Sequence, residues 1–116
     1  MTADQAAEHR FAVFAAPKWG FRALATVLLN YEHLHGLNTI RQIIGRWAPP
    51  NENNTIAYVK AVCDGVGADP NTPLDLHDPA TLQKLAKAIS IHEAGSWMFK
   101  QEDLIAGVKL ALKNGD

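Results

Sequence analysis

Arg46-Trp47-Ala48-Pro49-Pro50-Asn51-Glu52-Asn53-Asn54-Thr55-Ile56-Ala57-Tyr58-Val59 carries one amphipathic helix into a double proline, through a polar cluster and into a second helix. Pro49 cannot continue a helix, and it moves Ala48 towards extended backbone. Asn51 to Thr55 then supplies an unbroken polar run, any member of which can cap the helix that follows. The break makes this a chain of helices joined by short connections. A connection with this much specified chemistry is also a place where function concentrates.

The same reading extends outward in both directions. Upstream, Ile40, Ile43, Ile44 and Trp47 form an apolar stripe on a helix capped by Asn38 or Thr39. Before it, a long helix is expected from Pro17, at a position that favours proline, to about His35, with Gly36 closing it. Phe21, Leu24, Leu28, Tyr31 and His35 share one face. Residues 3–10 suit a short polar helix, and Phe11-Ala-Val-Phe14 alternates as an extended segment does. Downstream, a helix from about Thr55 to Val66 is expected to bury Ile56, Val59, Val62 and Cys63, with Gly67 ending it. Asp69-Pro-Asn-Thr-Pro-Leu-Asp is a turn-rich connection. Asp78-Pro79 opens the next helix, lined by Leu82, Leu85, Ile89 and His92 and stopped by Gly95. A last helix, about Gln101 to Lys113, is expected to bury Leu104, Ile105, Val108 and Leu112. The expectation is an all-α domain of five or six helices, residues 1–116, with no repeat or internal linker.

At 116 residues, nearly half of them apolar, the chain has enough material for one hydrophobic core. A net charge of −1 argues against nucleic acid as an obligatory partner, since phosphate binding needs a basic face. Cys63 is the only cysteine, so no internal disulfide framework exists, and its place on an apolar face suits a core residue. No stretch approaches the ~20 apolar residues that span a bilayer. Met1-Thr-Ala-Asp-Gln has neither the basic start nor the apolar run of a signal peptide. A chain made in the cytoplasm is therefore expected, and virion-associated or periplasmic action would need a virion or lysis machinery to carry it out.

Phe11-Ala-Val-Phe14, Pro17-Lys-Trp-Gly-Phe-Arg-Ala23, Gly36-Leu-Asn-Thr-Ile40, Ile43-Ile44, Arg46 to Val59 and Ile91-His-Glu-Ala-Gly95 together resemble a family of small tailed-phage and prophage proteins. These are described as virion structural proteins related to lysozyme-like peptidoglycan-cleaving domains. The resemblance covers about residues 11–95, and the joint spacing is more specific than any one motif. It implies a lysozyme-like fold, a peptidoglycan glycan strand or other virion proteins as partners, and no cofactor. The family pattern opens with a segment like Arg-Asn-Asn-Asn-Pro-Gly-Asn ahead of its Phe-x-x-Phe unit. Here Met1 to Arg10 occupies that place. If that segment builds part of the groove, the fold is expected to persist without the activity.

Glu93 is the sharpest catalytic candidate. Four residues after Ile89 and eleven after Leu82, it stays near the apolar stripe at about 100° per residue. Partial burial and the helix C-terminus both favour the protonated form that a general acid needs. Glu93-Ala-Gly-Ser-Trp97 also looks like the catalytic-glutamate helix end of lysozyme-like enzymes, which implies a glycosidase or lytic transglycosylase. The plainer alternative is a carboxylate that holds a chain turn, paired with Arg22 or Arg46. Glu52 is the candidate second carboxylate of a glycosidase, or simply an anion favoured at a helix N-terminus. Asn53, Asn54, Thr55, Tyr58 and Trp97 are the candidate substrate contacts. Tyr58 has the alternative of packing its ring and exposing its hydroxyl. Trp19 suits exposure near a helix end, while Trp47 sits on a core stripe. His33 and His35 point about 200° apart on one helix and cannot chelate one ion, so no metal site is expected.

Overall fold

The computed structural model describes residues 17–48 and 52–115. They form five helices: α1 Pro17–His35, α2 Ile40–Trp47, α3 Glu52–Val66, α4 Pro79–Ala94 and α5 Gln101–Gly115. The all-α expectation holds, with no strand among the described residues. The expected polar helix at 3–10 and the Phe11–Phe14 segment lie outside them.

The helix boundaries follow local chemistry. α1 begins on Pro17 and ends at Gly36, whose φ of 68° suits a residue without a Cβ. Thr39 caps α2: its hydroxyl accepts from the Gln42 amide at 3.2 Å while the Gln42 side chain reaches back to the Thr39 amide. This reciprocal pair satisfies two N–H groups that the helix itself cannot. α4 starts at Pro79, and Asp78 accepts from the Thr81 hydroxyl at 2.8 Å instead of from the backbone. Gly95, with φ 87°, closes α4 through its amide to Ile91 O at 2.7 Å.

One core joins all five helices. Phe21, Leu24, Leu28 and Leu29 supply it from α1, and Ile40, Ile43, Ile44 and Trp47 from α2. Leu82, Leu85, Ala86 and Ile89 supply it from α4, and Leu104, Val108 and Ala111 from α5. The α2 stripe is buried as its spacing predicts. α1 lies closest to α5: a Cβ on Gly107 would stand 2.6 Å from both Lys18 O and Phe21 Cβ. α3 and α4 approach at Gly65, where a Cβ would stand 2.9 Å from that of Ala88. Leu76, within the α3–α4 connection, is fully buried. Backbone bonds from Leu74 N to Asn38 O (2.8 Å) and from Arg41 N to Pro70 O (3.0 Å) tie that connection to the start of α2.

Several expectations change. α3 begins at Glu52, ahead of the expected Thr55, so Asn54 and Thr55 are helical residues and not part of a loop. α3 is also rotated: Tyr58 and Val62 are the buried residues, and Ile56 is 69% exposed. Tyr58 sets that rotation, because its hydroxyl is bonded within the fold while an aliphatic side chain has no such demand. On α5, Ile105 and Leu112 are only half-buried, and on α1 His35 is exposed.

Candidate functional site

Tyr58 is the centre of the site. It lies in the second turn of α3, is 5% exposed, and carries a polar atom that burial obliges to find partners. Trp47 Nε1, at the end of α2, donates to the Tyr58 hydroxyl at 2.9 Å. The hydroxyl donates in turn to Glu93 Oε2, in the last turn of α4, at 2.9 Å. The ends of α2 and α4 are thus joined through one phenol on α3. The His92 ring stacks on the Tyr58 ring, with centroids 3.8 Å apart and planes 29° from parallel. Burial holds the Tyr58 phenol far above its ordinary range, the Glu93 carboxylate adds to this by charge and hydrogen bond, and the Trp47 bond opposes it. In place of the expected exposed hydroxyl, Tyr58 keeps a proton committed to Glu93.

Glu93 itself is exposed, not half-buried against the stripe. The core face of α4 runs through Leu82, Leu85, Ala86 and Ile89. One turn further on, at His92 and Glu93, the helix has passed the end of that core. His92, expected to line the stripe, is exposed for the same reason. The arginines weighed as partners lie elsewhere: Arg46 Nη2 is 3.4 Å from His35 Nε2, and Arg22 sits 5.9 Å over the Trp19 ring. Among the described residues, the one contact within ion-pair distance is His77 Nδ1 to Glu32 Oε1, at 3.3 Å.

The other candidates distribute themselves around the molecule. Glu52 and Asn53 open α3, but their side chains lie outside the described residues, as does the Pro49–Asn51 part of the expected groove. Asn54 is exposed, and Thr55 lines a groove facing α2 and the α3–α4 connection. Trp97 joins an aromatic cluster with Phe21 and Phe99, at 5.7 Å and 5.8 Å between centroids, and Lys87 Nζ lies 4.9 Å over its ring. Trp19 is 53% exposed. The structure therefore brings Trp47, Tyr58, His92 and Glu93 together, and it places Thr55 and Trp97 in other settings. Trp47 and His92 are the members that sequence reasoning did not assign to the site. The signal for Trp47 was its residue type: a buried indole N–H and a nearby tyrosine need partners, and each supplies one for the other.

This arrangement can fix a surface carboxylate in one orientation against a phenol that does not readily ionise. Among the described residues, no group of three His, Cys, Asp or Glu is placed to hold a metal ion, and no helix is long and apolar enough to cross a membrane. No family model matches the chain. A stretch of 65 residues, 56% of the chain, is 40% identical to Protein P5 of Pseudoalteromonas phage PM2. The match spans 41% of that protein, less than half its length. Over that stretch the chain is related to a phage protein.

Proposed function

We propose that this chain is a virion-associated structural module, in which the Trp47–Tyr58–Glu93 chain braces a surface that holds another virion protein. The observation that carries this is the use made of Glu93. Its carboxylate accepts a buried hydroxyl and ties α4 to α3 and α2. The relation to a phage protein supports the virion setting.

A second reading keeps Glu93 as the general acid of a lysozyme-like peptidoglycan glycosidase or lytic transglycosylase, as the family resemblance implies. One observation favours it: Glu93 is exposed and has no arginine in ion-pair reach among the described residues. In this reading Tyr58 is a positioning residue that aims the carboxylate, and Glu52, Asn53 and Asn54 remain the candidate glycan contacts.

Clearing of purified peptidoglycan, followed by turbidity with the native chain and with Glu93→Gln, tests the pair. The structural reading expects no clearing by either protein, with a lower melting temperature for Glu93→Gln. Clearing by the native chain that Glu93→Gln abolishes at unchanged stability would replace it with the enzymatic one.

A further inference from the structure

Between α2, α3 and the start of the α3–α4 connection lies an open groove of about 740 Å³. Its wall carries Ile56, Val59 and Cys63 at helical spacing along α3. Ile56 is 69% exposed, an unusual state for an isoleucine beside half-buried Val59 and Cys63. Thr55 also lines this groove, with its hydroxyl buried and without a hydrogen-bond partner among the described residues. An apolar stripe with an exposed isoleucine in an open groove describes a surface that is incomplete in the isolated chain.

The charges around the groove identify what completes it. Arg41 and Lys60 line it, and so do Asp64 and Asp69; all four are exposed. A groove of one sign would suit a polymer of the other. A groove with two cations and two anions suits a partner with the same mixture, and this chain supplies one. In a two-fold contact the same patch meets itself, so residue i faces j and j faces i. We propose that this groove is the contact between two copies of the chain. Ile56 and Val59 of each copy seat against α3 of the other, and Arg41 and Lys60 of each face Asp64 and Asp69 of the other.

Sedimentation equilibrium at tens of micromolar protein is expected to give the native chain a dimer mass. Two charge variants separate self-recognition from general stickiness. R41E/K60E makes the groove all-acidic, and D64K/D69K makes it all-basic. Each alone is expected to be monomeric, and their mixture is expected to regain a dimer of one copy of each, identified by native mass spectrometry. Circular dichroism checks that both variants keep their helices. Ile56→Glu, a single change at an exposed position, gives an independent route to the monomer. A monomeric native chain overturns the proposal. So does a dimer formed by either charge variant alone, or a mixture that stays monomeric.

Discussion

The Tyr58 hydroxyl lies 2.9 Å from Glu93 Oε2, a hydrogen bond between residues 35 apart in sequence. It fixes where α4 ends relative to α3, and Trp47 extends the same chain to α2. Tyr58→Phe keeps the ring and its stack on His92 but removes the oxygen that both bonds share. The expected cost is about 1–3 kcal/mol, the range for withdrawing one partner from a buried polar group. A chain of this size should then melt several degrees lower. Combining Tyr58→Phe with Glu93→Ala should cost less than the sum of the single changes, because both remove the same bond. Strict additivity in thermal melts would show that Glu93 does not draw on Tyr58.

Alkaline stability follows from the same phenol. Tyr58 is held well above the usual tyrosine value of about 10 by burial first and by Glu93 second, and burial also raises Tyr31. As pH rises past ~10, the unfolded chain loses phenolic protons that the folded chain retains. Stability therefore stays whole below ~10 and falls above it, by up to ~1.4 kcal/mol per pH unit for each such tyrosine. Tyr58→Phe should flatten this decline. Denaturant melts of both proteins at a series of alkaline pH values measure it, and equal slopes would sink the assignment.

Two glycines in helices should respond to alanine with opposite signs. At Gly107 a Cβ would stand 2.6 Å from Lys18 O and 2.8 Å from Arg22 N, backbone atoms that move only if α1 moves. Gly107→Ala should destabilise by about 1–3 kcal/mol, outweighing alanine's helix propensity. At Gly45, in α2, nothing lies within 4 Å of the same position. Gly45→Ala should stabilise by about 0.4–1 kcal/mol. Chemical denaturation of the pair tests whether the close approach of α1 and α5 is as tight as described.

The tryptophans should also divide. Trp47 is 3% exposed at the inner end of α2, and Trp19 is 53% exposed. Trp47→Ala should cost about 3–5 kcal/mol, the range for large aromatic truncations in cores, and Trp19→Ala well under 1 kcal/mol. Fluorescence quenching by acrylamide gives a second measure, with Trp19 the tryptophan most open to the quencher.

The elements that carry their own punctuation were legible in the sequence. Pro17 and Gly36 bound α1, the isoleucine spacing gave the buried face of α2, and Asp78-Pro79 and Gly95 bound α4. α3 was less legible because its two controlling facts are not local. The polar run before it permits several starts, and its rotation is decided by Tyr58 reaching Trp47 and Glu93, which no helical period encodes. Glu93 was found as a candidate from its place at a helix end. Tyr58 was a candidate as a substrate contact, but its pairing with Glu93 was not legible, because that depends on how α3 and α4 cross.

The two backbone bonds that fasten the α3–α4 connection to α2 bear on exchange kinetics. A turn-rich stretch with two prolines would ordinarily open with the solvent-facing fringe of a protein. Here the Leu74 amide is spent on Asn38 O, and the Arg41 amide, one of the donors that a helix start leaves over, is spent on Pro70 O. These two amides open only when α2 and the connection separate, and that separation also uncovers Leu76. In heavy water both should therefore exchange on the timescale of the α2 core and not on that of a surface loop, so that a segment without helix or strand belongs to the same cooperative unit as α2.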